Sequence, residues 1–141
     1  IAVTMVSVLA LAGGVALTPV AGGNAVSPRV FPVQAVDWLE AHPPAGRAFN
    51  YFPWGGYVLY RLWPDVRVFI DGQTDFYGEA LTREYEQVIT LSDGWQAVLE
   101  KYDVAWVLIP PDSGLARALH SGGAWSEVYA DPTAVILERA P

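Results

Sequence analysis

The chain has no cysteine. A disulfide framework, thiolate catalysis and a cysteine-based zinc site are therefore all excluded. Charge is also scarce, at 16% of residues against a usual quarter, and it is unevenly distributed. Residues 1–28 contain no Asp, Glu, Lys or Arg, and the first charge is Arg29. The remainder, 29–141, has the charged fraction of an ordinary soluble domain, so two physically different objects are joined end to end. Basic residues stand singly in a chain of net charge −7. Nucleic-acid binding needs clustered Lys and Arg and is not expected, nor is a polybasic contact with anionic lipid.

The 141 residues suffice for one domain with a usable core. Ile1–Leu17 is almost wholly apolar. As a helix it would span roughly 25 Å at about 1.5 Å per residue, slightly short of the ~30 Å hydrocarbon core. Pro19 and Gly22-Gly23-Asn24 would end that helix. Starting at Ile1 rather than Met, residues 1–23 read as the end of a transmembrane helix, with 24–32 a linker and 33–141 an extracytoplasmic α/β domain. A signal peptide and a buried core helix are the competing readings. The first lacks a basic leading region, and the second would carry a polar face. No Lys or Arg directly follows the segment, which under the positive-inside rule places the domain outside the cytoplasm. The expected location is the cell membrane, with the N-terminal helix as the membrane partner.

In the soluble part, apolar spacing predicts helices over Val33–Ala41, Gly55–Leu62, Glu79–Leu91, Gly94–Tyr102 and Gly114–His120. Ser92 or Asp93 should cap the fourth of these, and Asp112-Ser113 the fifth. Strands are predicted at Arg47–Tyr51, Val66–Ile70 and Val104–Ile109, with a terminal hairpin from Trp125–Tyr129 and Ala134–Glu138. Val66–Ile70 is the strongest strand by composition. Alternation of strands and helices implies a three-layer α/β sandwich around a mixed, mostly parallel sheet.

No catalytic constellation is complete. His42 and His120 lie far apart beside helix ends, without metal-ligand spacing. No Gly-x-Ser-x-Gly elbow or phosphate-binding loop occurs. Asp71-Gly72-Gln73-Thr74-Asp75 begins like a calcium loop, but the later acidic positions are misplaced. A turn in which Asp71 bonds backbone amides accounts for it as well. No metal or other cofactor is expected, and the chain by itself is not expected to be an enzyme.

The candidate binding residues are Asn50, Trp54, Gly55, Gly56, Tyr57, Asp71 and Asp75. Aromatic faces beside an amide and a carboxylate suit a sugar, through apolar stacking and fixed hydrogen bonds. If Asn50 and Asp71 end strands joined by a right-handed crossover, both should face one crevice at the carboxyl end of the sheet, where Trp54, Tyr57 and Asp71 are expected to converge with Asn50 nearby. The same stretch also fits a packed loop with Trp54 and Tyr57 in the core.

Asn50 through Trp54-Gly55-Gly56-Tyr57-Val58-Leu59-Tyr60, followed by Arg67-Val68-Phe69-Ile70-Asp71-Gly72-Gln73-Thr74-Asp75-Phe76-Tyr77-Gly78, resembles the C-terminal domain of bacterial polytopic membrane proteins related to the GT-C glycosyltransferases. Trp95, Leu99–Leu108, Trp125 and Tyr129 extend the resemblance over about residues 30–139. More remotely, the Trp-Gly loop resembles the Trp-Trp-Asp-Tyr-Gly motif of the oligosaccharyltransferase catalytic subunit, although Pro53 stands at its Asp and a glycine at its Tyr. The resemblance implies an accessory or acceptor-binding domain of an enzyme using a lipid-linked sugar donor. The catalytic carboxylates would then lie in an early outer loop beyond this chain. The alternative is a non-catalytic interaction or scaffold domain of a polytopic membrane protein.

Overall fold

The computed structural model describes residues 26–140, and for 74–76 the backbone alone. The expected membrane helix lies outside the described residues. Among those residues, no helix is long and apolar enough to cross a membrane. In chain order the elements are α1 (Val33–Ala41), β1 (Arg47–Asn50), a 3-10 turn (Phe52–Trp54), α2 (Gly55–Leu62), α3 (Thr74–Ile89), α4 (Trp95–Lys101), β2 (Val104–Ile109), α5 (Gly114–Ser121), β3 (Trp125–Ala130) and β4 (Val135–Arg139). The fold is mixed α/β, with five α-helices and one four-stranded sheet among the described residues.

The strand order is β1-β2-β4-β3. β1 and β2 run parallel, whereas β2–β4 and β3–β4 are antiparallel. The expectation of a mostly parallel sheet is thus corrected. The terminal hairpin lies beside β2 and supplies both antiparallel pairs. Val66–Ile70, expected as a further strand, is not one. Val66, Phe69 and Ile70 are nevertheless buried, so the apolar run records burial rather than backbone pairing.

Side chains from successive residues of the strands enter two separate apolar clusters, as burial on both faces requires. Ala48, Trp106, Leu108 and Ile136 join Ala35, Val36 and Leu39 of α1 and Val58 and Leu62 of α2. Phe49, Val107, Ile109, Val135 and Leu137 join Tyr85 and Val88 of α3, Val98 and Leu99 of α4, and Leu115, Ala116 and Leu119 of α5. The exposed Asp37 and Glu40 of α1 reach Arg61 of α2 at 2.8 and 2.9 Å, tying the two helices together.

Local chemistry explains the helix ends. α3 is interrupted at Gly78 (φ 77°, ψ 163°), a conformation open to glycine because it has no Cβ. Its regular part begins at Glu79, as the spacing predicts. The Ser113 hydroxyl caps α5 by accepting from Ala116 N at 3.1 Å. For α4 the expected Ser92 or Asp93 cap is replaced by Gly94, in the left-handed region, with no side-chain cap bond. Within the expected linker the chain turns, with Val30 N and Phe31 N both bonded to Ser27 O.

The Tyr85 hydroxyl accepts a hydrogen bond from Phe52 N at 2.8 Å, and its ring stacks on Phe49. Burial pushes its pKa up to about 12. In the unfolded chain a tyrosine ionises near 10. The buried neutral form therefore contributes fully below pH 10, and its contribution is lost as pH rises from about 10 through 12. Tyr129, raised by burial and by Asp131, acts in the same direction. The urea midpoint should fall across this alkaline window, and Tyr85→Phe should flatten part of that fall. A midpoint unchanged between pH 8 and 11.5 would contradict this account.

Candidate functional site

The site is organised by the side chain of Asn50, the last residue of β1. Its Oδ1 accepts from Phe69 N at 2.8 Å and more weakly from Ile70 N at 3.4 Å. Its Nδ2 donates to Ile70 O at 2.8 Å and to Tyr51 O at 3.2 Å. The amide thus serves residues 69–70 as a peptide group of a neighbouring strand would. Buried backbone N–H and C=O groups need such partners, which is why an apolar run outside the sheet can still be buried.

Held in this way, the backbone at Ile70–Asp71 lies directly against Gly55. A Cβ at Gly55 would overlap the Ile70 carbonyl oxygen and come within 2.8 Å of Asp71 Cα. Asp71 is only 6% exposed, and its Oδ1 accepts from Gln73 N at 2.9 Å. Burial first and Asp71 second raise the Tyr77 pKa above its ordinary value. Asn50, Gly55 and Asp71 are therefore neighbours around residues 70–71, although Asn50 is buried with its amide bonded to backbone and does not face a crevice as expected. Their proximity comes from a side-chain clasp and a close helix contact, not the pair of parallel strands that the sequence suggested.

Beside Asp71 opens a crevice of 560 Å³, lined by Gly56, Leu59, Tyr60, Trp63, Asp71 and Gln73. Its two rings stand free, Tyr60 84% and Trp63 64% exposed. Trp54 and Tyr57 are not in it. Trp54 is buried, donates from Nε1 to Val30 O at 2.9 Å and meets Tyr51 edge-on. Tyr57 packs on Phe31 at 5.6 Å, and its hydroxyl accepts from Arg61 at 2.7 Å. Asp75 stands in the first turn of α3, and its side chain lies outside the described residues.

Sequence reasoning missed Tyr60 and Trp63. The signal was present in the helix phase. With Val58 and Leu62 inward, residues 56, 60 and 63 fall on the opposite face at i, i+4 and i+7.

The crevice holds one carboxylate, one amide and two aromatic faces. This set can stack on an apolar ring face and accept hydrogen bonds from hydroxyls. Among the described residues no group of His, Asp and Glu is placed to hold a metal ion. His42 follows the end of α1 and stacks on Trp38. His120, in the last turn of α5, bonds to Ala116 O and Glu127. A larger cleft of 760 Å³ between α4, α5 and the start of β3 shares no lining residue with the crevice.

The two adjacent glycines should respond oppositely to substitution. Gly55→Ala forces a methyl into backbone and should cost about 2 kcal/mol or more, as overpacking does. Gly56 has nothing within 4 Å of its would-be Cβ, so Gly56→Ala should be neutral or gain up to about 1 kcal/mol of helix propensity. Asn50→Ala leaves the buried Phe69 N and Ile70 O without partners and should cost about 2–5 kcal/mol. Urea unfolding of the three variants checks this. Equal effects at Gly55 and Gly56 would contradict the contact described.

No family model, no curated protein and no solved structure matches this chain.

Proposed function

We propose that residues 33–141 are the extracytoplasmic, acceptor-binding domain of a membrane glycosyltransferase that uses a lipid-linked sugar donor. Catalysis itself resides elsewhere in the parent protein. The domain is a three-layer sandwich, with α1 and α2 on one face of the sheet and α3, α4 and α5 on the other. It is held at the cell membrane by the uncharged segment before Arg29. The reading draws on the resemblance of the Trp-Gly-Gly-Tyr and Phe-Ile-Asp-Gly segments to GT-C proteins.

One observation carries it: two largely exposed rings, Tyr60 and Trp63, flank a crevice with Asp71 and Gln73 in its lining. An exposed indole costs the folded domain buried apolar area, and a sugar's C–H face restores that burial on binding. The partly fixed carboxylate and the Gln73 amide supply directional bonds, which give orientation. Asp71 in this reading accepts from sugar hydroxyls through carboxylate lone pairs not engaged by Gln73 N or Tyr77.

Titration of the chain with lipid-free oligosaccharides, followed by tryptophan fluorescence, tests the proposal. Trp63→Ala should raise Kd at least about tenfold, equivalent to ~1.4 kcal/mol, with far-ultraviolet circular dichroism unchanged. Asp71→Asn preserves the bond from Gln73 N and should weaken binding less. Binding unaffected by Trp63→Ala would refute the crevice as the site. Absence of binding to any glycan tried, by both fluorescence and calorimetry, would refute the acceptor-binding reading.

A further inference from the structure

We infer that the outward face of α2, together with the Ser27–Phe31 turn beside its start, rests on the headgroup layer of a lipid bilayer. The carrying observation is where exposed apolar side chains occur. Among the described residues, the large hydrophobic side chains left exposed are Val26 (40%), Val30 (61%), Tyr60 (84%) and Trp63 (64%). All four lie in the incoming turn, on α2 or at its end. The rest of the described surface follows the ordinary rule of keeping large apolar groups covered.

What lies next to this patch identifies its occupant. The chain reaches Val26 directly from a stretch with no Asp, Glu, Lys or Arg. Only eight residues, 18–25, separate Leu17, the end of the apolar run, from Val26, so at most about 30 Å of chain can intervene. The turn after Val26 is fixed rather than trailing. Val30 O accepts from Trp54 Nε1 at 2.9 Å, Pro28 O accepts from the Thr133 hydroxyl at 2.8 Å, and Phe31 packs on Tyr57. The described chain is therefore fixed beside the start of α2 from Pro28 onward, a short reach in sequence from the uncharged run.

The residue types and their charge environment agree. Tyr and Trp, with an apolar body and a polar tip, are the side chains enriched at headgroup level. Arg61 is the one charged residue of α2, and it turns away toward α1, where Asp37 and Glu40 neutralise it. The outward face of α2 thus offers rings whose charged neighbours, Arg29 of the turn and Asp71 of the crevice, are of opposite sign, suited to a zwitterionic surface. This inference does not depend on glycan binding. If both hold, the crevice opens at the height where the headgroup of a lipid-borne sugar lies.

The absence of cysteine makes the test direct. Single cysteines at Val30, Tyr60 and Trp63, all exposed, are spin-labelled in the full chain reconstituted into phosphatidylcholine vesicles. Gln96→Cys is the control, because α4 contributes to the other apolar cluster and Gln96 is exposed. Labels at 30, 60 and 63 should lose accessibility to a water-soluble nickel chelate and gain accessibility to oxygen, relative to 96. Nickel accessibility at 60 and 63 equal to that at 96 would overturn the inference. Dipolar broadening between labels at 60 on different molecules would also overturn it, by showing a second copy as the occupant. Neither result bears on glycan titration, so this inference and the acceptor reading fail separately.

Discussion

The buried amide of Asn50 is the contact from which the rest of this arrangement follows. It lies at the end of an edge strand and meets a segment that does not enter the sheet. Few side chains could replace it. Asp offers no donor to Ile70 O, Leu offers neither group, and the longer Gln must order another torsion to reach the same atoms. Both Asn50 side-chain atoms are bonded to buried backbone at 2.8 Å, and in a low-dielectric interior such bonds are strong when complete and costly when half made. Once residues 69–70 are held, Asp71 has one position, and α2 can approach only because residue 55 lacks a Cβ.

The sequence was readable where burial and backbone pairing coincide. β2, buried on both faces, and α1 and α2, each with a clear apolar stripe, appear with the bounds their patterns indicate. It misled where the two separate. Val66–Ile70 has the composition of a central strand because Val66, Phe69 and Ile70 are buried, and composition cannot show whether its backbone partner is a strand or an amide side chain. The direction of the sheet was hidden for a related reason. Strand–helix alternation suggests parallel pairs, but the terminal hairpin inserts β4 next to β2, and no local pattern records which neighbour a hairpin chooses.

The candidate site was legible as a region but not as a set of side chains. Asn50, Gly55 and Asp71 are neighbours, but the expected meeting of Trp54 and Tyr57 with Asp71 does not occur. The aromatics were exchanged. Trp54 and Tyr57 are the conspicuous residues of the Trp-Gly-Gly-Tyr run, yet they hold the incoming turn and α1 in place. Tyr60 and Trp63 look incidental in one dimension and become prominent only once the helix phase is set by Val58 and Leu62. A motif's most recognisable residues can thus be the scaffold, with its less conspicuous neighbours lining the crevice.

α2 joins these roles in eight residues. One face packs Val58 and Leu62 into the core. A second clasps α1 and the incoming turn through Arg61 and Tyr57. A third presents Gly56 and Tyr60 beside Asp71, with Trp63 at the helix end. A rigid helix cannot adjust one face independently of the others. A shift that opened the Gly55–Asp71 contact would also rotate Tyr60 and pull Tyr57 from Phe31. The clasp that fixes the crevice therefore also fixes how the crevice is oriented relative to the Ser27–Phe31 turn. Preorganisation of this kind keeps a site aimed without a dedicated hinge, because the ordering entropy has already been met in folding.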